Sequence, residues 1–420
     1  MVKRTLPKIH TQVPGPKSRS LAKRLREVES PNITFISNDF PIFWNKAKNC
    51  LVEDVDGNFF LDLSASFGVV TLGHCNPHVV RTIKKQSQQL IHGMGDVHPS
   101  EIKVHAEREI ARRVPIDNAQ VILGLNGADA VEAALKTAAI YTKKSRAIYF
   151  EGAYHGLSYG TLPINGREDF RTPFDEQLGH FTTHAPFPRS EEQIEASLNE
   201  VERLLHEGDV GAVVFEPIQG RAGIYVAPHE WMKALHDLCH RYGALLIADE
   251  IFCGWGRAGS WTVCQFADIY CLGKSLAGGL PLSACVASKE VMTAWGESTG
   301  EAIHTSTFIG HPLACAVALT VINEIERHHL LKRAEEVGAF FKKELQTLLA
   351  IREVRGQGLM LAIQLDTKER ASRLVVNALQ NGLILLPAGD GSIIEFTPPL
   401  TITPEQIKYA IKVLGECLKQ

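Results

Sequence analysis

The chain has 420 residues and a formal net charge of −3, with 45% hydrophobic and 22% charged residues. This length suits two or three domains, or one large α/β domain with satellites. The charge balance and the absence of a long apolar stretch predict neither a nucleic-acid partner nor a membrane association. Nine cysteines stand singly without CxxC spacing. This argues against a metal site and favours reduced thiols in a cytoplasmic protein.

The N-terminal segment is basic, with eight Lys or Arg residues and no acid before Glu27. Such a bias resembles a transit peptide, but an ordered arm with a short helix explains it equally well, and we favour the arm. The next segment, CLVEDVDGNFFLDL at 50–63, predicts two short strands around an Asp-Gly turn.

From about residue 120, apolar strands alternate with helices. Strands are predicted in AQVILGLNG, RAIYFEGAYHG, VGAVVFEPIQG, ALLIADEIFCG, ADIYCLGK and LSACVASKE. This alternation predicts a mostly parallel sheet covered by helices, whose ligands lie beyond the carboxyl ends of the strands. After about residue 312, one long helix, PLACAVALTVINEIERHHLLKRAEEVGAFFKKELQTLL, is followed by short strands and two more helices. We therefore expect an arm and hairpin at 1–65 that belong to the small domain, a large domain at 66–311 and a small α+β domain at 312–420.

Small and aromatic residues follow the first two strands of this region. Asn126, Gly127 and Ala128 begin a helix, where free N–H groups could bind an anion. A simple helix cap explains them nearly as well. Tyr154 and His155 follow the next strand, where the tyrosine ring could stack on a flat cofactor or only pack within the loop.

Charged residues end three of the remaining strands. Glu216 ends one of them, and Asp249 with Glu250 ends the buried run LLIADE. Lys274 ends another and precedes a glycine-rich loop. A charge at the end of a buried strand is costly unless it is paired. A lysine placed there can form a Schiff base, although an isolated lysine is more often solvated. Taken together, the anion site, the ring, the carboxylate and the lysine suit pyridoxal phosphate.

Three segments resemble the class III pyridoxal-phosphate-dependent aminotransferases: LLIADEIFCGWGRAG, CLGKSLAGGLPLSACVAS and HTSTFIGHPLACAVAL. The group includes ornithine, acetylornithine, 4-aminobutyrate and ω-amino-acid–pyruvate aminotransferases. The resemblance covers nearly the whole chain, from the Asp-Gly hairpin to TPPLTIT, and Asp249 and Lys274 stand 25 residues apart. It implies the aspartate-aminotransferase-like architecture (PLP fold type I), with a seven-stranded sheet in the large domain. It also implies transfer of an amino group from an amine or ω-amino acid to a keto acid such as pyruvate or 2-oxoglutarate.

The resemblance implies a role for each matching residue. Lys274 would form the Schiff base and shuttle the proton, and Asp249 would keep the pyridinium nitrogen protonated. Thr307 would reach the phosphate in the other subunit, which makes a homodimer the minimal active unit. The implied cofactor-binding set is Asn126, Gly127, Ala128, Tyr154, His155, Glu216, Asp249, Lys274 and Thr307.

Several positions depart from the family pattern. Leu157 stands where relatives that bind a distal carboxylate often carry arginine, and Glu395 stands at the usual α-carboxylate arginine. Arg221 stands where ornithine-type enzymes carry the glutamate that masks that arginine. We therefore expect Arg221 to anchor the substrate carboxylate under the control of Glu395. The alternative is a structural ion pair outside the pocket.

Two phenylalanines are further candidates. Phe252 replaces a glutamine that several relatives place beside the cofactor's ring hydroxyl, and Gln219 could supply that contact instead. Phe67 would line the substrate side or only pack in a core.

Three other functions compete with transamination. The first is an amino-acid racemase or epimerase on the same scaffold, which would also use Lys274 and Asp249. The second is a non-catalytic binding or regulatory protein, which the intact Lys274, Asp249 and Tyr154 argue against. The third, dinucleotide binding, fails because no GxGxxG follows the first strand of the α/β region.

Overall fold

The computed structural model describes residues 5–419, so residues 1–4 of the expected arm lie outside the described range. The helices are α1 (Pro16–Val28), α2 (Ala65–Gly68), α3 (Pro77–Ser87), α4 (Glu101–Ala111), α5 (Gly127–Thr142), α6 (Glu168–Arg171), α7 (Ile194–His206), α8 (His229–Arg241), α9 (Lys289–Met292), α10 (Pro312–Arg327), α11 (Leu330–Leu345), α12 (Lys368–Gln380) and α13 (Pro404–Cys417). The strands are β1 (Trp44–Lys48), β2 (Leu51–Asp54), β3 (Phe59–Asp62), β4 (Ala119–Gly124), β5 (Arg146–Phe150), β6 (Thr182–Ala185), β7 (Val210–Phe215), β8 (Ile218–Gln219), β9 (Tyr225–Val226), β10 (Leu245–Asp249), β11 (Ile269–Leu272), β12 (Ser283–Ser288), β13 (Glu353–Gln357), β14 (Met360–Gln364), β15 (Leu383–Ile384), β16 (Leu386–Ala388) and β17 (Ile393–Phe396).

The chain forms two compact units. One runs to Pro77 and resumes at Arg333, and the other spans His78–Lys332. These boundaries fall later in the chain than the expected ones at 66 and 312. The second boundary is later because α10 packs against α4 and against the turn that begins at Lys274, both of which belong to the larger unit. The division into domains at 1–65, 66–311 and 312–420 stays a prediction.

The larger unit is built on a seven-stranded sheet in the order β4-β12-β11-β10-β7-β5-β6. Every neighbouring pair from β11 to β6 is parallel, and only β12 runs antiparallel to its neighbours. This confirms the predicted mostly parallel α/β sheet. The alanine-rich face of α5 packs on the sheet because small side chains spaced about one turn apart allow a close approach. The buried residues of this contact include Ala130, Ala134, Ala138, Val214, Ile247, Cys271 and Cys285.

The central strand β10 positions the polar residues of the sheet edge. All five of its residues are buried, as the continuous apolar run predicted for a strand covered on both faces. It pairs with β7 on one side and with β11 on the other, and Asp249 lies opposite Cys271. Because these strands are parallel, their carboxyl ends meet at one edge. The residues that follow β7, β10 and β11 therefore lie at that edge.

The smaller unit holds two four-stranded sheets. The predicted hairpin is confirmed as the antiparallel pair β2–β3, and Gly57 in its turn has a φ of +85°. The parallel strand β15 extends the first sheet, and β13, β14, β17 and β16 form the second. The helix expected in the basic N-terminal segment is α1.

The single long helix predicted after residue 312 is wrong. It divides into α10 and α11 between Arg327 and Leu330, where His329 has a φ of +50°. A left-handed residue cannot continue a right-handed helix, so the chain turns there. Among residues 5–419, no helix combines the length and the apolar character needed to cross a membrane.

Candidate active site

Asp249 and Lys274 lie at the ends of neighbouring strands. Asp249 closes β10, and Lys274 follows β11 after one glycine, at the start of a single helical turn. Lys274 has a φ of +38°, an uncommon conformation for a residue with a side chain and typical of functional turns. Its Nζ lies 4.4 Å from the centroid of the Phe252 ring. The lysine amine therefore rests on a buried aromatic face at the sheet edge.

The Asp249 carboxylate is buried and held by two donors. His155 Nδ1 lies 2.7 Å from Asp249 Oδ2, and the backbone N–H of Ile251 donates to Oδ1 at 3.1 Å. The carboxylate side chain is only 4% exposed and the imidazole is fully covered. These contacts explain how a charged group tolerates the end of a buried strand, because a buried charge needs hydrogen-bond partners. His155 Nε2 is also buried and has no hydrogen-bond partner among the described residues.

Glu216 fixes the loop that carries Tyr154 and His155. Its Oε1 accepts the N–H of Tyr154 at 2.9 Å, and its Oε2 accepts the N–H of Gly220 at 3.0 Å. Burial raises the pKa of Glu216 to about 7, and the nearby His155 opposes this rise. The residue thus connects the end of β7 to the loop that follows β5. Because both hydrogen bonds go to backbone N–H groups, Glu216 fixes the position of these loops.

The Tyr154 ring is half-buried and contacts two side chains. Phe170 meets it edge-on with centroids 5.7 Å apart, and the Arg221 guanidinium carbon lies 5.7 Å from its centroid. Burial raises the pKa of the Tyr154 phenol, which Arg221 partly offsets. The structure therefore places Arg221 directly at the ring that the sequence identified as a stacking candidate.

The N-terminus of α5 packs against Ile251, the residue after Glu250. The Asn126 side chain caps the helix by accepting the N–H of Asp129, and the Asp129 carboxylate accepts the N–H groups of Leu125 and Asn126, which forms a capping box. A Cβ on Gly127 would lie 2.9 Å from Ile251 Cδ1. The helix start therefore sits against Ile251, and the cap does not engage the N–H groups of Gly127 and Ala128.

Gly156 closes the loop over the start of α5. It has a φ of +113°, and a Cβ there would lie 2.7 Å from the Cβ of Ala128. Asn165 holds this loop by accepting the N–H of His155 at 3.3 Å and by donating to the carbonyl of Gly156. Close packing of Gly156 against Ala128 thus brings the Tyr154–His155 loop against the expected anion site.

Glu250 has a different role from its neighbour Asp249. Its Oε1 accepts the N–H groups of Val263 and Cys264, each at 2.7 Å, and its Oε2 accepts the thiol of Cys253 at 3.2 Å. Burial raises the pKa of Glu250 to about 7 despite these donors. Successive side chains of a strand point to opposite faces, so Glu250, directly after the last strand residue Asp249, contacts different partners.

The remaining predicted site residues lie in a turn of the larger unit and in the smaller unit. Thr307 is exposed in a turn of the larger unit. Phe67 belongs to the smaller unit, is 57% exposed and has a φ of +62°. Glu395 is buried in β17, opposite Ala362 of β14, in the same smaller unit. Pairing of Glu395 with Arg221, which lies in the larger unit, stays a prediction.

The structure also adds two residues that the sequence did not single out. Ile251 separates Gly127 from Gly273, since a Cβ on either glycine would lie within 3.1 Å of its side chain. Asn165 orients His155 and Gly156, as described above. The only sequence signal for Asn165 is the Asn-Gly dipeptide that it begins, a turn signal that carries no chemistry by itself.

Comparison with known proteins agrees with this geometry. The model of the aminotransferase class-III family matches residues 35–418. The chain is 35% identical to an acetylornithine aminotransferase of Methanosarcina mazei, over 90% of this chain and 91% of the relative. It is 30% identical to an alanine/serine racemase of Pyrococcus horikoshii, over 98% of this chain and 93% of the relative.

A solved structure extends the likeness to the fold. An amine transaminase from an uncultivated Pseudomonas species, in its PLP-bound form, superposes with a TM-score of 0.84 at 26% identity, over 94% of this chain and 98% of that one. Family match, relatives and fold agree with the strand-end lysine and carboxylate described above. The chain therefore belongs to the class III aminotransferases and is a pyridoxal-phosphate-dependent transaminase, with the PLP fold type I architecture.

Proposed function

We propose that Lys274 and Asp249 form the catalytic centre of this transaminase. The observation that carries the proposal is their position at the carboxyl ends of adjacent parallel strands, with Asp249 buried and held by His155. Pyridoxal phosphate fits this edge because a buried carboxylate is the partner that its ring nitrogen requires. The unsatisfied Nε2 of His155 offers a further polar atom beside that carboxylate.

The cofactor, when bound, supplies an electron-withdrawing ring that stabilises negative charge on the substrate carbon. Lys274 would bind its aldehyde covalently through Nζ. With substrate present, the same Nζ would remove a proton from the carbon that bears the amino group, and later return one. Asp249 would hold the ring nitrogen in its charged form, and His155 would hold Asp249 in place.

The remaining residues position the cofactor. The N–H groups of Gly127 and Ala128 at the start of α5 would bind the phosphate, since a helix N-terminus favours an anion. Tyr154 would cover the ring, held by Glu216 through its backbone. Gln219 would meet the ring hydroxyl in place of the glutamine that Phe252 replaces. Its Nε2 donates to the carbonyl of Glu151, and its buried Oε1 has no hydrogen-bond partner among the described residues.

Covalent trapping of the cofactor tests whether Lys274 and Asp249 form the catalytic centre. Borohydride reduction of the enzyme as purified should fix the cofactor on the peptide that contains Lys274, and Lys274→Ala should abolish both the label and transamination. A panel of amine and ω-amino-acid donors, with pyruvate and 2-oxoglutarate as acceptors, would then identify the substrates. A label on another lysine would overturn the assignment.

Racemisation is a second candidate because the Pyrococcus horikoshii racemase matches almost the whole chain. The two functions differ in the state of the cofactor when donor is added without acceptor. A transaminase should lose the absorbance of the lysine-bound cofactor, whereas a racemase should keep it. A retained band together with inversion of an L-amino acid would favour the racemase.

Arg221 is our candidate for the substrate carboxylate. It lies at the Tyr154 ring, and Leu157, at the position where relatives carry arginine, is apolar and half-exposed. When an acid substrate enters, Arg221 would leave Glu395 and bind the substrate carboxylate through two hydrogen bonds. An amine without a carboxylate would leave Arg221 and Glu395 paired. Phe67 would line the substrate side.

The experiment for this switch compares two substrates in one variant. Arg221→Ala should raise KM for the keto-acid acceptor at least about 10-fold, since a charge-assisted hydrogen bond contributes about 1.5–3 kcal/mol. KM for a simple amine donor should change little. The control is Arg113→Ala, which removes an arginine that also lies over an aromatic ring, that of Trp261. Equal effects on both substrates would contradict the switch.

We also propose a homodimer in which Thr307 reaches the phosphate site of the partner. Thr307 lies in an exposed turn flanked by the exposed apolar residues Ile303 and Phe308, a surface that suits burial against a second copy. Mixing the inactive variants Lys274→Ala and Thr307→Ala should restore activity, because one site of each hybrid dimer is then intact. If Thr307 served its own subunit, mixing would restore nothing.

A cytoplasmic location is proposed from the cysteines. All nine are unpaired, and burial raises the pKa of most of them, which suits reduced and unreactive thiols. Fractionation of cells that produce the protein would test this, and enrichment with an organelle would contradict it.

A further inference from the structure

A cluster of two histidines and one aspartate lies away from the catalytic edge. His236 and His240 are one turn apart on α8, and Asp268 immediately precedes β11. The candidate ligand atoms of the three side chains all lie within 4.8 Å of one another. The spacing of the histidines places both rings on one face of the helix, with centroids 4.0 Å apart. The third ligand comes from a segment 28 residues further along the chain.

Hydrogen bonds already orient each of the three side chains. Asp268 Oδ1 lies 2.7 Å from Nε2 of His240, and its Oδ2 accepts the N–H of Leu246 at 2.8 Å. His236 Nδ1 lies 3.3 Å from Oδ1 of Asp237, which leaves its Nε2 for another partner. A histidine that ligates a metal usually gives its other nitrogen to a carboxylate or carbonyl, and a ligating carboxylate is itself hydrogen-bonded. Outer contacts of this kind are therefore present for His236 and for Asp268, whereas the His240–Asp268 contact joins two of the proposed ligands.

We propose that His236, His240 and Asp268 bind a divalent transition-metal ion, with Zn²⁺ as the best match. Imidazole nitrogen and carboxylate oxygen are common zinc ligands at about 2.0–2.2 Å, and a tetrahedral site separates its ligands by about 3.4 Å. The His240–Asp268 contact, now 2.7 Å, would widen by about 0.7 Å to reach that spacing. His240 is about half exposed, so water can complete the coordination.

The ion would join two parts of the larger unit at the end of the sheet opposite to the catalytic edge. Asp268 holds the N–H of Leu246 near the start of β10 and itself leads into β11. The same two strands carry Asp249 and Lys274 at their other ends. A metal at this site would thus fasten α8 to the two strands that position the catalytic pair, without entering the active site.

Calorimetric titration of the metal-stripped holoenzyme with Zn²⁺ tests the site. We expect one ion per chain, with affinity at least about 10-fold weaker in His236→Ala and His240→Ala, because each removes a direct ligand. The matched control is His105→Ala. His105 is also a helical histidine one turn from a carboxylate, Glu101, but this pair offers two ligand atoms rather than three. Equal binding by all four proteins, or only weak binding of several ions, would overturn the proposal.

Thermal unfolding and cobalt absorption give independent readouts. A ligand that binds the folded state raises the unfolding temperature as its concentration increases. The Zn²⁺-dependent rise should therefore appear in the wild type and in His105→Ala, and disappear in His240→Ala. Co²⁺ should give a visible absorption band that is lost in the same variants. Both histidines are partly exposed, so their replacement should leave the fold intact, and a band unchanged in His240→Ala would contradict the assignment.

Discussion

Replacement of Glu250 by glutamine should change the pH dependence of stability by a calculable amount. Glu250 is fully buried, and burial raises its pKa from 4.5 to about 7. Between these two pH values the folded chain holds a proton that the unfolded chain has released, so stability falls as the pH rises through this window. Each pH unit of separation corresponds to about 1.4 kcal/mol, so the cost of ionising Glu250 in the folded protein reaches about 3 kcal/mol above pH 7.

Glutamine should remove that cost while keeping the main contacts. Its single oxygen can still accept the N–H groups of Val263 and Cys264, which both donate to the same oxygen of Glu250. The amide nitrogen would face the sulfur of Cys253 in place of the second oxygen. We therefore expect Glu250→Gln to gain about 2.5 kcal/mol relative to wild type between pH 5 and pH 8, because a smaller part of the cost already applies at pH 5.

Urea unfolding at several pH values from 5 to 8 measures this difference, with both proteins saturated with cofactor. Glu216, whose pKa is also about 7, is present in both proteins, so its contribution cancels. Glu335→Gln, at an exposed position of α11, is the control and should give a flat difference. If the stability curves of Glu250→Gln and wild type run parallel over this range, burial does not raise the pKa of Glu250 as argued.

Three further predictions concern the catalytic edge. Asp249→Asn should lower kcat at least about 10-fold without unfolding the protein, because asparagine can still accept the His155 hydrogen bond but carries no charge; a kcat within twofold of wild type in steady-state assays would contradict this role. Gly127→Ala should weaken cofactor binding in an equilibrium titration, because its Cβ would lie 2.9 Å from Ile251 Cδ1. Ile251→Val, which removes that atom, should restore affinity in the double variant. Gly156→Ala should lower stability by about 2–4 kcal/mol, from a left-handed backbone and a 2.7 Å approach to Ala128. In thermal unfolding, Gly208→Ala, which has a φ of +94° but no neighbour within 4 Å, should lose less.

The strands of the seven-stranded sheet could be predicted from sequence where they are apolar. Six of its seven strands follow from apolar runs bounded by turn residues, and β10 is the clearest of them. The edge strand β6, Thr182–Ala185, was missed because its short polar sequence carries no such run. The break between α10 and α11 was also missed, since the helical pattern continues through His328 and His329. A backbone turn at an ordinary residue leaves no mark in hydrophobic periodicity.

In the candidate site, too, the sequence suggests some residues but not their contacts. Asp249 and Lys274 could be singled out as candidates from the sequence because a charge directly after a buried strand is costly and demands a partner. The partner itself could not be identified, since His155 stands 94 residues from Asp249. The spacing of His236 and His240 is visible in the sequence, but it indicates a metal site only once Asp268 is beside them.

The sequence by itself therefore determined the alternation of strands and helices and the family, and it singled out Asp249 and Lys274 as candidate cofactor residues. The tertiary structure decided which side chains meet: His155 with Asp249, Glu216 with the backbone of Tyr154, and Arg221 with the Tyr154 ring. The physical reason is that helix and strand formation depend on near neighbours along the chain. Contacts at the sheet edge depend instead on the order of β11, β10, β7 and β5, which brings distant loops side by side.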